Sequence, residues 1–214
     1  MKRRPGIVFT VRLIFVLSLS VLVYSVVQVV KAPIEARQAL KDWDKKREEA
    51  AARPPKAEED PLPADMMAEH PGETASPSYV EGEVIGEIFF PSLNKRVAIL
   101  EGTESPQLKK GAGHSTGSAA IGSSGHSVLA GHRDTVFRRL GELRAKDRIE
   151  LETADGRFVY EVTGSIIVDA KERGAIQASD QAILTLITCY PFSYVGSAPD
   201  RYLVSATLIS RDSR

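Results

Sequence analysis

The sequence predicts a mostly β domain, a closed or nearly closed barrel or a sandwich with a few short helices, set behind an N-terminal transmembrane helix. Short apolar, β-rich runs recur along residues 79–214 and are separated by Gly, Ser, Pro and Asp clusters. An apolar stretch, residues 7–30, precedes them with Arg12 as its one charge and Thr10, Ser18, Ser20, Ser25 and Gln28 as small or polar interruptions. At about 1.5 Å per residue it reaches roughly 36 Å, enough to cross a hydrocarbon core of about 30 Å. The 214 residues allow one medium domain with accessory segments. With 28 Lys+Arg against 28 Asp+Glu, the chain lacks the basic excess of a nucleic-acid binder. A single cysteine, Cys189, excludes an intrachain disulfide, a multi-cysteine metal cluster and an iron–sulfur centre.

The elements follow in order. Lys2, Arg3 and Arg4 lead the apolar stretch, so residues 1–30 read as a cytoplasmic N-terminus and membrane anchor with the bulk of the chain outside the cell membrane. Arg12 snorkels toward the headgroups. The alternative, a cleaved signal peptide, is disfavoured by the length of the run and the lack of an A-x-A-like site. Residues 31–53 are densely charged. Ala36, Ala39, Leu40 and Trp43 form one helical stripe, and Asp42 and Lys46 stand four apart, so this reads as a helical stalk. Trp43 reads as an interfacial aromatic or a partner-helix contact, with a binding anchor as the alternative. Residues 54–78 hold Pro54, Pro55, Pro61, Pro63, Pro71 and Pro77 and lack an apolar period, the mark of an extended linker. Met66, Met67 and His70 read as isolated linker residues rather than ligands of a soft metal.

Residues 79–214 then form the one folded domain. Strands are expected at 84–90, 96–100, 128–131, 148–152, 158–168, 183–188 and 202–209, and brief helices at 106–110 and 134–143. Residues 111–125, 154–156 and 191–199 separate them.

Candidate chemistry sits at strand ends. Cys189 closes the run 183–188 and Tyr190–Pro191 follows. It is either a nucleophile at a loop or a small buried hydrophobe. A thiol with an ordinary pKa of about 8.5 needs a base. His132 offers one after the strand ending Ala130–Gly131, where glycine permits close backbone approach; the alternative is a histidine bonded to a carbonyl. Arg201 opens the last strand. An antiparallel pairing across residues 190–200 places it opposite Cys189, at roughly 5 Å between backbones. There it can face a developing oxyanion, or else pair with Asp200 in solvent.

These segments together resemble the sortases, membrane-anchored cysteine transpeptidases. Thr185-Leu186-Ile187-Thr188-Cys189 resembles the family's TLxTC signature, 128–135 (Val-Leu-Ala-Gly-His-Arg-Asp-Thr) its histidine segment, and Asp200-Arg201-Tyr202-Leu203-Val204 its arginine strand. Gly111-Ala112-Gly113-His114 resembles a further segment, and the similarity covers 84–209. Cys-Tyr-Pro-Phe at 189–192 is closest to the class D-like group and its Gram-negative relatives, class GN. His126 departs from the family, which commonly has Asn there.

The resemblance implies an eight-stranded sortase-like β-barrel and cleavage of an LPxTG-like sorting signal at the C-terminus of a secreted protein. It implies Cys189 as nucleophile, His132 as general acid and then base, and Arg201 on the substrate carbonyl or oxyanion, with transfer to an amine acceptor. Thr188, His114 and His126 are the candidate substrate contacts. For Thr188 the alternative is an ordinary strand residue, and for His114 a structural role. No cofactor is expected. No metal is expected either: the loops offer no compact acidic cluster for calcium, and zinc would need His114, His126, His132 and Cys189 to converge. A tethered peptidase that passes the acyl group to water, and a non-catalytic barrel, are the competing readings.

Overall fold

β-branched and aromatic residues crowd the runs that become strands, and glycine-bearing turns break them. The computed structural model describes residues 5–52, 79–172, 174–194 and 196–213. Its strands are β1 (Val84–Phe90), β2 (Lys95–Glu101), β3 (Ala112–His114), β4 (Gly125–Ala130), β5 (Arg148–Thr153), β6 (Gly156–Asp169), β7 (Ala182–Tyr190) and β8 (Asp200–Ser213). They close into one barrel in the order β1-β2-β3-β4-β7-β8-β6-β5, which decides between the barrel and the sandwich and leaves no open sheet edge. Two pairs are parallel, β2 with β3 and β4 with β7. A parallel pair needs a crossover; α2 (Ser105–Lys110) supplies the first and the β5–β6 hairpin the second.

Alternation along the strands fills the barrel. Ile88, Ile99, Leu129, Phe158, Leu184 and Leu186 are fully buried in a single core, and each contributes about 1.5–3 kcal/mol of apolar burial. Tyr160 is buried among them. Its hydroxyl accepts the Gly122 N–H at 2.9 Å, and desolvation pushes its phenol up to about 12.

Two expectations are corrected. The separator at 111–125 contains β3, a short strand built from Ala112, Gly113 and His114 that bridges β2 and β4. The helix expected at 134–143 is instead a run of turns ending in a 3-10 turn, Leu140–Glu142. The Lys95 ammonium donates to the Thr135 and Val136 carbonyls at 2.8 and 2.6 Å, acceptors that a helix would need for its own amides. Gly141 ends the segment against Phe192, where a Cβ would lie 2.7 Å from the ring.

The largest departure is the stalk. α1 (Pro5–Ala52) runs as one helix through Pro33, from the apolar stretch into the charged one. The window Phe9–Val27 is fully exposed and apolar enough to cross a membrane. The half that follows does not stand away from the barrel; it lies on it. Ala39 and Trp43 are 3% and 4% exposed, and Ala39 packs with Ala98 and Leu100. Trp43 is thus an intramolecular anchor. Its neighbours make ion pairs with the barrel: Asp44 with Arg96 at 2.8 Å, Lys46 with Glu83 at 2.9 Å, and Arg47 with Glu152 at 3.4 Å and Glu87 at 3.8 Å. Arg96 also binds Glu87. Partly exposed pairs contribute well under about 1 kcal/mol each, so apolar burial at Trp43 dominates and the charges set the register. Residues 1–4 and the expected linker at 54–78, with Met66, Met67 and His70, lie outside the described residues.

Candidate active site

The parallel and antiparallel ladders of β4, β7 and β8 decide what meets what. Cys189 on β7 is the register partner of Arg201 on β8. On the other side of β7, Ala130 of β4 pairs with Ile187, and the Gly131 amide donates to the Ile187 carbonyl at 3.1 Å. Two residues further along both parallel chains stand His132 and Cys189. Side chains alternate in strands, so Cys189 and Arg201 share the outward face and one rung, and His132 follows just past the end of β4. Leu184, Leu186 and Thr188 point inward and are buried, whereas His132, Cys189 and Arg201 are half-buried.

The rung is braced from beneath. The Thr188 hydroxyl, on a residue 3% exposed, donates to the Gly131 carbonyl at 2.7 Å and ties β7 to the residue before His132. Gly131 has no side chain because a Cβ there would lie 2.5 Å from the Phe137 ring. The turn after His132 closes by a 2.9 Å bond from the Phe137 amide to the His132 carbonyl. Cys189 carries a free thiol. β7 ends one residue later at Tyr190.

Arg201 Nη1 donates to the Ala198 carbonyl at 3.3 Å and the Asp200 carbonyl at 3.0 Å. It therefore bonds the Asp200 backbone and makes no ion pair with a carboxylate among the described residues. A guanidinium has five N–H donors, and those outside Nη1 have no partner among the described residues. The group is thus aimed by its own loop and keeps donors for a carbonyl oxygen.

The remaining expected site residues lie elsewhere. Thr188 faces the core and acts as the tie just described, not as a surface contact. His114 is 6% exposed. Its Nδ1 lies 2.8 Å from Glu101 Oε2, and its Nε2 lies 3.1 Å from both the Ala119 carbonyl and the Ser118 hydroxyl. Thr116 satisfies the second Glu101 oxygen. His114 thus belongs to a buried polar network at the end of β3, the structural alternative. His126 is half-buried at the start of β4, beside Ile183, with Nδ1 3.3 Å from the Thr185 hydroxyl. It shares the outward face of the rung but lies six residues away, roughly 20 Å along the strand. His114, His126, His132 and Cys189 accordingly do not converge, and no group of three or more His, Cys, Asp or Glu capable of holding a metal occurs among the described residues.

Two features escaped the sequence reading. Tyr190, Phe192 and Tyr202 form an aromatic cluster beside the rung, with Tyr190 stacked on Tyr202 at 6.0 Å and Phe192 edge-on to Tyr202 at 5.3 Å. Their adjacency in sequence to Cys189 and Arg201 was the available signal. Arg133 reaches across from the turn after β4 to the β7–β8 loop. Its Nη2 donates to the Tyr194 carbonyl at 2.6 Å and the Gly196 carbonyl at 2.9 Å, and the guanidinium lies 5.8 Å from the Tyr194 ring centre.

Residues 88–209 match the sortase domain family model. Over 124 residues the chain is 44% identical to sortase D of Bacillus subtilis (strain 168), a match covering 58% of this chain and 63% of the relative. The chain therefore spans just under two thirds of that relative's length. Among solved structures, the catalytic domain of B. anthracis SrtD is 38% identical at a TM-score of 0.56, covering 68% of this chain and 100% of that one. Sortase A from Corynebacterium diphtheriae is 29% identical at a TM-score of 0.57, covering 62% of this chain and 63% of that one. With the barrel order, the family model and these relatives in agreement, the chain belongs to the sortase family, on its class D-like side.

Proposed function

We propose that this chain is a membrane-anchored cysteine transpeptidase that cleaves an LPxTG-like sorting signal on a secreted protein and transfers the acyl group to an amine. The observation that supports the reading is the Cys189–Arg201 rung of β7 and β8, with His132 one residue past the last β4–β7 ladder bond. Residues 1–30 form the cytoplasmic N-terminus and single-pass anchor, 31–53 the charged helix, 54–78 the linker and 79–214 the catalytic barrel outside the cell membrane.

The Cys189 thiolate attacks the carbonyl carbon of the scissile peptide, and the C–O π electrons move onto oxygen. Arg201 holds that oxyanion with its unoccupied donors; a guanidinium stays charged at any working pH. The tetrahedral intermediate collapses, the C–N bond breaks, and the His132 imidazolium protonates the departing amine. The thioacyl enzyme then meets a second amine. Neutral His132 takes its proton as the new amide forms, and the thiolate leaves. The aromatic cluster of Tyr190, Phe192 and Tyr202 shields one flank of the reaction from water.

The test uses the purified full-length chain, a sorting peptide and a panel of amines, read by mass spectrometry. The expected result is a thioacyl adduct on Cys189 that is consumed by amine, absent in Cys189→Ala and depleted in Arg201→Ala. Hydrolysis with no adduct to any amine would establish the peptidase instead, and no adduct at all would leave a non-catalytic barrel.

A further inference from the structure

Closure removes sheet edges around the barrel wall, but β6 outruns β5. The two strands pair from Arg148↔Glu161 to Thr153↔Gly156, and the last bonds on that side join Val162 to Lys146 and Asp147. Beyond them β6 and β8 run on together as a two-stranded arm, as far as the pair Asp169↔Asp200. Their register shifts between Val162 and Gly164, the bulge at which the arm leaves the wall. A Cβ built on Gly164 would meet nothing within 4 Å. Ile166 and Ile167 are 51% and 50% exposed, on opposite faces of the arm.

Backbone polarity identifies what the arm leaves unused. The Ala170 N–H donates to the Pro199 carbonyl at 2.9 Å. Main-chain groups alternate sides along an antiparallel strand, so Val168 and Ile166 also face β8, where Arg201 and Leu203 are their partners. Ser165, Ile167 and Asp169 face away from β8. The Asp169 carbonyl accepts the Glu172 N–H at 2.9 Å. The N–H and C=O groups of Ser165 and Ile167 make no backbone bond among the described residues. Residues 163–168 contain no proline and no charged side chain, the devices that usually protect an exposed edge.

The arm ends at the candidate site, since Val168 pairs with Arg201 and Arg201 with Cys189. At about 4.8 Å per strand, a chain added outside β6 lies roughly 14 Å from the Cys189 backbone, a span of about four or five extended residues. Under the reading above the signal stands at the C-terminus of its protein, so extended chain is available on its N-terminal side. We infer that β6 binds substrate by strand addition: a segment about five residues upstream of the scissile carbonyl pairs with the free edge at Ser165 and Ile167, its side chains alternating beside Ile166 and Ile167. The inference rests on the transpeptidase reading and adds a contact outside the reacting residues. Main-chain bonds supply the affinity, so the edge accepts many sequences but excludes proline at the bonded positions.

The full-length chain is assayed for transfer of an LPxTG-like peptide to an amine, with the signal alone and with about eight alternating Thr and Val residues placed before it. The extended peptide is expected to show a KM about tenfold lower at unchanged kcat, the effect of a few net main-chain bonds. N-methylation of one alternate set of the added amides should abolish that gain, and N-methylation of the other set should spare it. Ile167→Pro removes an N–H that no ladder bond uses. It should raise KM for the extended peptide to that of the short one and leave the short one within about twofold. Equal KM for both peptides would overturn the inference. So would equal loss from both methylated sets, or a dimer of the chain that Ile167→Pro dissolves while the peptide gain persists. A chain that transfers neither peptide fails the transpeptidase reading and this inference with it, whereas one that transfers both with the same KM fails only this inference.

Discussion

Thr188→Val probes whether the geometry beneath the rung sets the rate. The substitution conserves side-chain shape and removes one hydroxyl, which donates 2.7 Å to the Gly131 carbonyl from a residue 3% exposed. Gly131 is itself buried, so its carbonyl loses its partner away from solvent, at a cost of about 1–3 kcal/mol. At roughly 2 kcal/mol the melting temperature of a domain this size falls by several degrees. The freed carbonyl sits one residue before His132, and an error of about 1 Å in a reacting group lowers rates about 100-fold. We expect kcat/KM for peptide-to-amine transfer to fall about 10- to 100-fold, mostly in kcat, because no substrate-facing atom changes. Thr188→Ser, which keeps the hydroxyl, should recover most of the loss. The assay is transfer of a fluorescent sorting peptide to an amine by the full-length chain, beside a thermal melt. A Thr188→Val chain that melts early yet turns over at the original rate would refute the argument, since the bond would then stabilise the barrel without placing His132.

Arg133→Ala removes both carbonyl bonds to the β7–β8 loop; faster amide hydrogen exchange in residues 191–199 is expected, with a rise in KM of several-fold. His126→Asn should change kcat/KM less than about threefold, since His126 lies roughly 20 Å along β4 from the rung; a loss as large as that of His132→Ala would overturn the register argument. The side-chain bond from Lys46 holds the Glu83 carboxyl below its usual value. Its contribution to docking α1 is therefore present above about pH 4.3 and fades as pH falls through the depressed folded value, and a red shift of Trp43 emission at lower acidity in Lys46→Ala than in the parent chain would check it. Seven alanines inserted between Val30 and Lys31 lengthen α1 by about 10 Å while nearly restoring its facing. Transfer from a membrane-held substrate should drop while turnover of a free peptide stays level.

The sequence made the rung legible because its parts sit at strand ends marked by breaks: Gly131 before His132, Pro191 after Tyr190, Pro199 before Arg201. Period-two alternation then assigns faces, and a hairpin between residues 189 and 201 brings their backbones together whatever the rest of the barrel does. β3 was hidden because three residues rich in glycine and alanine carry no apolar signature; its pairing comes from β2 and β4. The turns at 134–143 were misread because the competing bonds from Lys95 come from forty residues away, beyond any local window. Trp43 misled for the related reason that an aromatic just past a membrane span suits both the lipid interface and a protein surface. The surface beside it, with Tyr79, Val84, Ile85 and Ala154, is itself a product of the fold.

The direction of α1 on the barrel links these pieces. Pro33 and Ala36 lie at the Lys95 end of β2, Ala39 beside Ala98 and Leu100, and Lys46 at Glu83 and Val84, where Val84 pairs with Leu100. The helix thus leaves the apolar window alongside the start of β2 and climbs toward its end. Ladder by ladder, β2 to β3, β3 to β4 and β4 to β7, the start of β2 corresponds to the ends of β4 and β7. His132 and Cys189 are therefore at the end of the barrel from which the apolar window of α1 emerges. A barrel hung on a flexible tether would sample a broad shell of heights and orientations; under the anchored function proposed above, a barrel seated on its own helix would hold that mouth toward the bilayer, exchanging reach for effective concentration of anything held in the same membrane.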